Sequence, residues 1–385
     1  MQPHPSVELF TAALLTGALC AVVLRRLLPW RGAIAVAALK AAIPLVFFSW
    51  YYTGAWTILD DMAYFREGRV LRAAGFNPIT VFLSKRGFGT LLFVSNGYQF
   101  VYGWFNMLMQ DLIAPTYWAP VFGNLVLTCI AAVLVKTIAT ECGASQPYAR
   151  GLGVYFALQP ELVAWSSFLN VKDILVMTLT AALLLGLVRL SRRFTWGALA
   201  LSVLAGFILF WIRFYVPLVA GLAMVIARLR PRALLRGGVL VGLAAVAGLL
   251  VVLRSTIGSL AHVVDLHAAD LAYGWLRTLL SPLPWSMQPE YGFLQVPAIL
   301  HFALVPAMAL GAYLLVKGSP PARLLFIYAA LILLAVSAHP ELQGPRHRIQ
   351  ILFILAWAEF HGMAVLAAAF LRSRRMRVAA AAAVT

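Results

Sequence analysis

Residues 174–193 read ILVMTLTAALLLGLVRLSRR, and this stretch decides the fold class. Its first part, up to Val188, holds no charged residue, and three arginines follow at Arg189, Arg192 and Arg193. An uncharged block suits the core of a lipid bilayer, where every backbone amide must be hydrogen-bonded within the chain. Arginines directly after such a block are typical of the cytoplasmic end of a transmembrane helix. The stretch therefore predicts a helix that crosses a membrane.

Similar apolar blocks recur along the whole chain. Hydrophobic residues make up 63% of its 385 residues and charged ones 11%, whereas a soluble domain carries about 25% charged residues. The blocks predict an all-α integral membrane fold, a single transmembrane domain over 1–385 with about eleven transmembrane helices. Arg213 and Pro217 favour a tight turn within 196–227. The expected spans are 8–24, 33–53, 117–135, 151–169, 174–188, 196–211, 214–227, 237–253, 297–316, 324–338 and 349–370.

The net charge is +17, and the positions of the basic residues along the chain indicate the membrane topology. Each basic cluster follows an odd-numbered span, and short loops rich in Lys and Arg stay in the cytoplasm. We therefore expect the N-terminus outside, the C-terminus in the cytoplasm and no nucleic-acid partner. The clusters comprise Arg25, Arg26 and Arg31; Arg189, Arg192 and Arg193; Arg228, Arg230, Arg232 and Arg236; Lys317 and Arg323; and Arg372, Arg374, Arg375 and Arg377.

The acidic residues fall on the opposite, outer side of this predicted topology. Acids contribute little to the positive-inside rule, so their asymmetry has another cause. One interpretation is a catalytic face, and the other is a solvated loop surface. The outer acids are Asp60, Asp61, Glu67, Asp111, Glu161, Asp173, Asp265, Asp270, Glu290 and Glu341.

Two outer segments are long enough to be functional loops, 54–116 and 254–296. The first contains LDDMAYFREGRVLRAAG, whose apolar and charged positions predict an amphipathic helix at the membrane interface. Its adjacent acids, Asp60 and Asp61, repel one another at a membrane surface. Such a pair can have a raised pKa, bind a cation or bind a sugar hydroxyl. Alternatively, it caps the helix that follows.

The order of these features resembles the GT-C glycosyltransferases, membrane enzymes that use lipid-linked sugars. An acidic motif in the first large outer loop precedes a short interfacial helix with an aromatic residue. Further weak motifs follow in order, all on the outer side, and the resemblance covers most of 45–370. The motifs are Asp60-Asp61-Met62-Ala63-Tyr64-Phe65, Pro160, Trp165-Ser166, Lys172-Asp173, Arg213 with Tyr215, and Gly344-Pro345-Arg346-His347-Arg348.

The resemblance implies an inverting transfer at the outer face of the bacterial inner membrane. The donor would be a polyprenyl-phosphate-linked sugar, the acceptor a glycan, lipid or protein, and membrane lipids would surround the site. No cofactor is specified, and a divalent cation is left open. Asp60 would be the base, and Asp61 would hold the acceptor or tune Asp60. The donor phosphate would be bound by Arg346, Arg348, Arg213 and Lys172, and the substrates by Asp173, Tyr64, Glu161, Tyr215 and His347.

Some of these residues also have a structural interpretation as an alternative to the functional role. Asn170 with Asp173 resembles a helix-capping pair, and Arg213 near a span end can reach the lipid headgroups. The histidines show no metal-ligand spacing, so no zinc site is expected. A transporter or lipid flippase is the alternative class, and a lipid-linked polymer ligase is a third. Transporters place ionisable groups near the bilayer midplane and often contain a repeat. Here the polar groups gather at one surface, which favours an enzyme.

Overall fold

A computed structural model describes the backbone of residues 6–54, 60–97, 99–228, 268–337 and 342–382. The described residues form helices joined by short turns, with no strand among them. The all-α prediction is therefore confirmed for this part of the chain. The helices are α1 Val7–Leu24, α2 Trp30–Val46, α3 Asp60–Ala73, α4 Thr80–Leu83, α5 Lys85–Val94, α6 Phe100–Leu112, α7 Ala119–Glu141, α8 Gln146–Ala157, α9 Pro160–Phe168, α10 Asp173–Arg192, α11 Trp196–Arg213, α12 Tyr215–Arg228, α13 Ala268–Leu280, α14 Gln295–Gly318, α15 Pro320–Ser337, α16 Pro345–Arg348 and α17 Leu352–Ala382.

Eight helical segments of the described residues are long and apolar enough to cross a membrane. Their number and hydropathy are those of a multi-pass membrane protein. Three of the eleven expected spans are not among them. One of these, 237–253, lies outside the described residues. The eight segments are Val7–Leu24, Trp30–Tyr51, Ala119–Glu141, Asp173–Arg192, Trp196–Arg213, Pro289–Gly318, Pro320–Ser337 and Pro345–Ser373.

The expected span 151–169 is not one continuous helix. The chain leaves the helical path after Ala157 and re-enters it at Pro160, because proline lacks the N–H of a helix interior but suits the first helical position. Lys40 Nζ, buried in α2, donates to the Ala157 carbonyl oxygen at 3.0 Å. That ammonium satisfies a backbone acceptor that the interrupted helix leaves open.

The turn predicted within 196–227 is present. Helix α11 ends at Arg213 and α12 begins at Tyr215, so Arg213 stands at a helix end. Within the described residues, which stop at Arg228, the second of these helices has 14 residues, fewer than a full span needs. The amphipathic helix predicted after Asp60 is also present, as α3.

The core is apolar and runs through the bundle from α1 to α17. Helix α10 lies at its centre, where it packs against α7 and α11. Its Asp173 end and its Arg189–Arg192 end are about 30 Å apart, at a rise of 1.5 Å per residue. At the arginine end, Arg189 and Arg192 bind Glu141 at the end of α7. The other end of α10 carries the candidate site.

Candidate functional site

Charged and aromatic side chains from five segments meet at the Asp173 end of α10. We call three basic residues of this group the cationic cluster: Lys172 and Arg213, which are buried, and Arg346, whose side chain is 13% exposed. Each stands at a helix terminus or in the short helix α16, so short connections fix their backbones. The group as a whole comprises Asp60, Tyr64, Gln99, Lys172, Asp173, Arg213, Tyr215, Arg346 and His347.

Asp173 is the anion around which two of these cations gather. Its side chain is 1% exposed and accepts hydrogen bonds from Arg213 Nη2 and, at 2.6 Å, from Arg346 Nε. A buried carboxylate is stable only when paired and hydrogen-bonded, and two guanidinium groups meet that need. The capping interpretation of Asp173 does not hold, since α10 has no side-chain cap at this end.

Arg346 connects Asp173 to the mouth of the site. Its Nη1 donates to Asp60 Oδ2 at 2.6 Å, and the Asp60 side chain is 55% exposed. Its third nitrogen, Nη2, is buried and has no hydrogen-bond partner among the described residues. A buried guanidinium nitrogen without a partner carries a free-energy cost that an anionic ligand would remove.

Lys172 is held by neutral groups. Its Nζ donates to Gln99 Oε1 at 2.5 Å and lies 5.4 Å from the centre of the Tyr64 ring. Tyr64 donates its hydroxyl to the same Gln99 oxygen at 3.3 Å. Burial, together with the positive charges of Arg213 and Arg346, lowers the pKa of Lys172 to about 7. An ammonium in this state gains strongly from an anion placed beside it.

Gln99 was missed by the sequence reasoning. Its backbone φ is 71°, a conformation unusual for residues other than glycine, and its N–H donates to the Trp211 carbonyl oxygen at 3.0 Å. That bond fixes the start of α6 against the end of α11 and presents the Gln99 amide to Lys172. No local sequence pattern marks the residue, because its role depends on a contact between distant segments.

Arg213 binds the remaining aromatic partners. Its Nη1 lies 3.0 Å from the Tyr215 hydroxyl oxygen and 3.1 Å from His347 Nδ1. A guanidinium has no acceptor, so Nδ1 accepts and His347 is the neutral tautomer that carries its proton on Nε2. Both residues were predicted at the site, and the structure brings them to it.

Asp61 lies apart from the cationic cluster. Its side chain is fully buried, accepts a hydrogen bond from the Tyr117 hydroxyl and, at 2.9 Å, from the Met62 N–H. Asn170 Nδ2 donates to the Asp61 carbonyl oxygen at 3.1 Å. The two adjacent acids therefore have different surroundings, and Asp61 fixes the start of α3 to the turn before α7 and to the α9–α10 connection.

Arg348 and Glu161 form a second ion pair, separate from the cluster. Their side chains are 1% and 2% exposed, and Arg348 Nη2 donates to Glu161 Oε2 at 2.7 Å. Arg348 Nη1 also donates to the Leu279 carbonyl oxygen at the end of α13. Both residues were predicted to bind substrate, but the structure joins them to each other inside the bundle.

An apolar cavity lies close to the cationic cluster, because Trp211 in its wall accepts a hydrogen bond from the Gln99 N–H, and Gln99 binds Lys172. Its volume is about 480 Å³, and helices α4, α5, α6, α10 and α11 line it. Trp211 in its wall lies two residues before Arg213, and Leu175 lies two residues after Asp173. The lining residues are Phe82, Phe88, Phe100, Val101, Trp104, Phe105, Leu175, Leu179, Phe207, Ile208 and Trp211. The site therefore combines basic groups with a wholly apolar compartment.

Glu67 is a further acid of the site region. It lies on α3, and burial raises its pKa to about 7 while Lys172 opposes the shift. The sequence predicted only that Glu67 is one of the outer acids. Among the described residues, no three His, Cys, Asp or Glu side chains are placed to hold a metal ion.

Comparisons with known proteins found no match for this chain among protein-family models, curated proteins or solved structures. The candidate site is therefore interpreted from its own geometry.

Proposed function

We propose that this protein is an inverting glycosyltransferase of the GT-C type, which moves a sugar from a polyprenyl-phosphate donor to an acceptor at the outer face of the membrane. The observation that carries the proposal is the adjacency of two compartments. A basic group with an unused Arg346 N–H pair lies beside an apolar cavity whose wall includes Trp211. A prenyl phosphate has the matching chemistry, an anion attached to a long hydrocarbon chain.

The charges at the site suit one phosphate diester. Among the groups bonded to one another at the site, Lys172, Arg213 and Arg346 are faced by two carboxylates, Asp60 and Asp173, which is an excess of one positive charge. Among the described residues, Glu67 is not bonded to these groups, and it is not part of this count. The diester of a polyprenyl-phosphate sugar carries one negative charge. In a buried site, such neutralisation stabilises the bound anion much more than it would in water.

The reaction follows from this placement. The acceptor hydroxyl attacks the anomeric carbon, its proton passes to a carboxylate, and the bond from that carbon to the phosphate oxygen breaks. The bonding electron pair leaves with the polyprenyl phosphate, whose added charge Arg346 and Lys172 stabilise. Asp60 is the proposed base, since it is the exposed carboxylate at the mouth of the cluster. Phosphate binding to Arg346 would weaken the hydrogen bond that holds Asp60.

The proposed location at the outer face is supported by the opposite end of the bundle. Arg189, Arg192 and Arg228 gather there, at the far end of α10 from Asp173. Arginines in short loops favour the cytoplasmic side. The bacterial inner membrane, with the site on its periplasmic or extracellular side, is accordingly the proposed location.

Transfer of label from a lipid-linked sugar tests the proposal. Purified protein in detergent or vesicles is given a radiolabelled polyprenyl-phosphate sugar and a cell-envelope extract as the acceptor source. We expect labelled product that Arg346→Ala abolishes, with release of polyprenyl phosphate in equal amount. Label that stays on the donor lipid across a panel of sugars would contradict the proposal.

A transporter is the second candidate, because ionisable pairs are also buried within the bundle. His301 Nδ1 lies 3.0 Å from Glu359 Oε1, with side chains 2% and 1% exposed. Ionisable groups inside membrane proteins often mark transport pathways. Movement of the intact lipid-linked sugar across sealed vesicles, without transfer of its sugar, would favour this class.

A further inference from the structure

Lys172 has no ion pair among the described residues, although two aspartates lie near it. Asp60 is bonded to Arg346, and Asp173 to both Arg213 and Arg346. The only hydrogen bond described for the Lys172 ammonium is to the neutral amide of Gln99. Its charge therefore depends on groups that face it without bonding to it.

Glu67 is a carboxylate that, like Lys172, has no ion pair among the described residues. It lies seven residues after Asp60 on α3, with Tyr64 between them, so these three side chains share one face of the helix. The Lys172 ammonium lies over the face of the Tyr64 ring. Glu67 Oε2 is buried and has no hydrogen-bond partner in the described part of the chain.

The neighbouring helix leaves space for this carboxylate. On α6, a Cβ added to Gly103 would lie 2.8 Å from Glu67 Oε2, which is closer than atoms of this kind approach. A glycine at this position thus lets the Glu67 side chain lie against the α6 backbone, four residues along the chain from Gln99, which binds Lys172.

We propose that Glu67 is a positioning residue that keeps Lys172 positively charged in the donor site. This inference rests on the proposed function, and it adds the control of one cation by a residue that does not touch the substrate. Lys172 is the positive charge that opposes the raised pKa of Glu67. The other charged groups that act on Lys172 are Arg213 and Arg346, which disfavour its charge, and Asp173 and Asp60, which favour it. Gln99 and Tyr64 are the neutral contacts.

The direction of the effect follows from the two titrations. Lys172 loses its proton as the pH rises through about 7. Glu67, with its pKa raised to about 7, becomes negative over the same range. The new carboxylate charge opposes the loss of the lysine proton, so the cation persists to a higher pH than it would alone. Donor binding near neutral pH consequently depends on Glu67.

Binding of a prenyl methyl phosphate diester tests this inference, because the probe carries one fixed negative charge and no sugar. Its affinity is measured against pH for the wild type, Glu67→Gln, Lys172→Arg and the double variant. In Glu67→Gln, we expect the pH midpoint of binding to fall by about one unit. Lys172→Arg should bind without a midpoint near neutrality, because arginine stays charged. Adding Glu67→Gln to it should change nothing further.

Controls separate this result from misfolding and from failure of the proposed function. Glu8→Gln removes an exposed acid outside the site and should keep the wild-type midpoint. Glu67→Asp keeps the charge and should also stay near it, even if Glu67→Gln folds poorly. Any of three results would overturn the inference. The pH midpoint could be unchanged in Glu67→Gln, or it could fall as far in Glu67→Asp as in Glu67→Gln. Alternatively, Glu67→Gln could weaken probe binding in the Lys172→Arg background as much as it does in the wild type. Absence of probe binding by the wild type would instead contradict the proposed function.

Discussion

At the scale of single residues, two arginines of one short helix have different surroundings. Arg346 reaches the cationic cluster and keeps one buried nitrogen unpaired, whereas Arg348 is 1% exposed and bonded to Glu161 and to a backbone carbonyl. Sequence spacing could not separate them, because a helical turn and an extended segment orient alternate residues differently. Here the helical turn sends them to different partners.

The arginine assignment predicts distinct defects. Arg346→Lys keeps a charge but loses the planar guanidinium, so donor affinity and turnover should both fall, with Arg346→Ala more severe. Arg348→Ala leaves Glu161 as an unpaired buried charge and should lower the unfolding free energy by about 3–5 kcal/mol. Donor titration and thermal denaturation in detergent measure the two effects. Normal donor affinity in Arg346→Ala would remove this residue from the donor site.

The proposed base is tested in the same way. Asp60→Asn should reduce turnover by about 10²–10⁴-fold while expression and donor binding stay largely intact. Asp61→Asn is the matched comparison, and it should mainly lower stability because the buried Asp61 carboxylate accepts from Tyr117. Loss of turnover in Asp61→Asn alone would reverse the assignment. Full turnover in both variants would leave the acidic pair with a structural role only.

At the scale of elements, the apolar cavity between α6, α10 and α11 is the compartment for the prenyl chain in this account. Leu179→Trp would fill part of it and should weaken binding of a long-chain prenyl phosphate diester about tenfold, the loss of roughly two buried methylene groups. A short-chain diester should bind nearly as before. Leu218→Trp, on a side chain that is 39% exposed, is the control. Equal losses for both chain lengths would count against the cavity.

Helices α14 and α17 approach closely at two glycines. A Cβ at Gly362 would lie 1.8 Å from the Ala307 carbonyl oxygen, and one at Gly311 would lie 1.9 Å from that of Ala358. Gly362→Ala should therefore lower stability by about 1–3 kcal/mol. Gly221→Ala, where the added Cβ meets nothing within 4 Å, should be neutral or stabilising. Equal melting temperatures for the two variants would show that the approach is looser than described.

The sequence predicted most elements but not every span. Uncharged blocks mark α7, α10 and α11 clearly, because the bilayer imposes both length and composition. The block 151–169 was wrongly predicted to be one span, because hydropathy does not show the helix break before Pro160. Lys40 donates a hydrogen bond to the Ala157 carbonyl oxygen that this break leaves open. Prediction of the site residues met a similar limit. Motif order selected Asp60, Lys172, Asp173, Arg213 and Arg346, but Gln99 and Glu67 depend on contacts between distant segments.

At the scale of the whole molecule, the two ends of the bundle differ in charge character, and that difference predicts its orientation. In a variant without native cysteines, a cysteine at position 85 should react with an impermeant reagent in intact cells. One in place of Arg193, at the other end of the bundle, should react only after the membrane is opened. The reverse pattern would place the candidate site in the cytoplasm and contradict the proposed topology.

The central claim is that one lipid phosphate occupies the cationic cluster with its chain in the adjoining cavity. A density map of the purified protein with bound polyprenyl phosphate tests this most directly. We expect phosphate density within hydrogen-bond distance of Arg346 Nη2 and Lys172 Nζ, and chain density between Trp211 and Leu179. Lipid density that lies elsewhere on the protein, with the Arg346–Asp60 contact intact and the cavity empty, would contradict it.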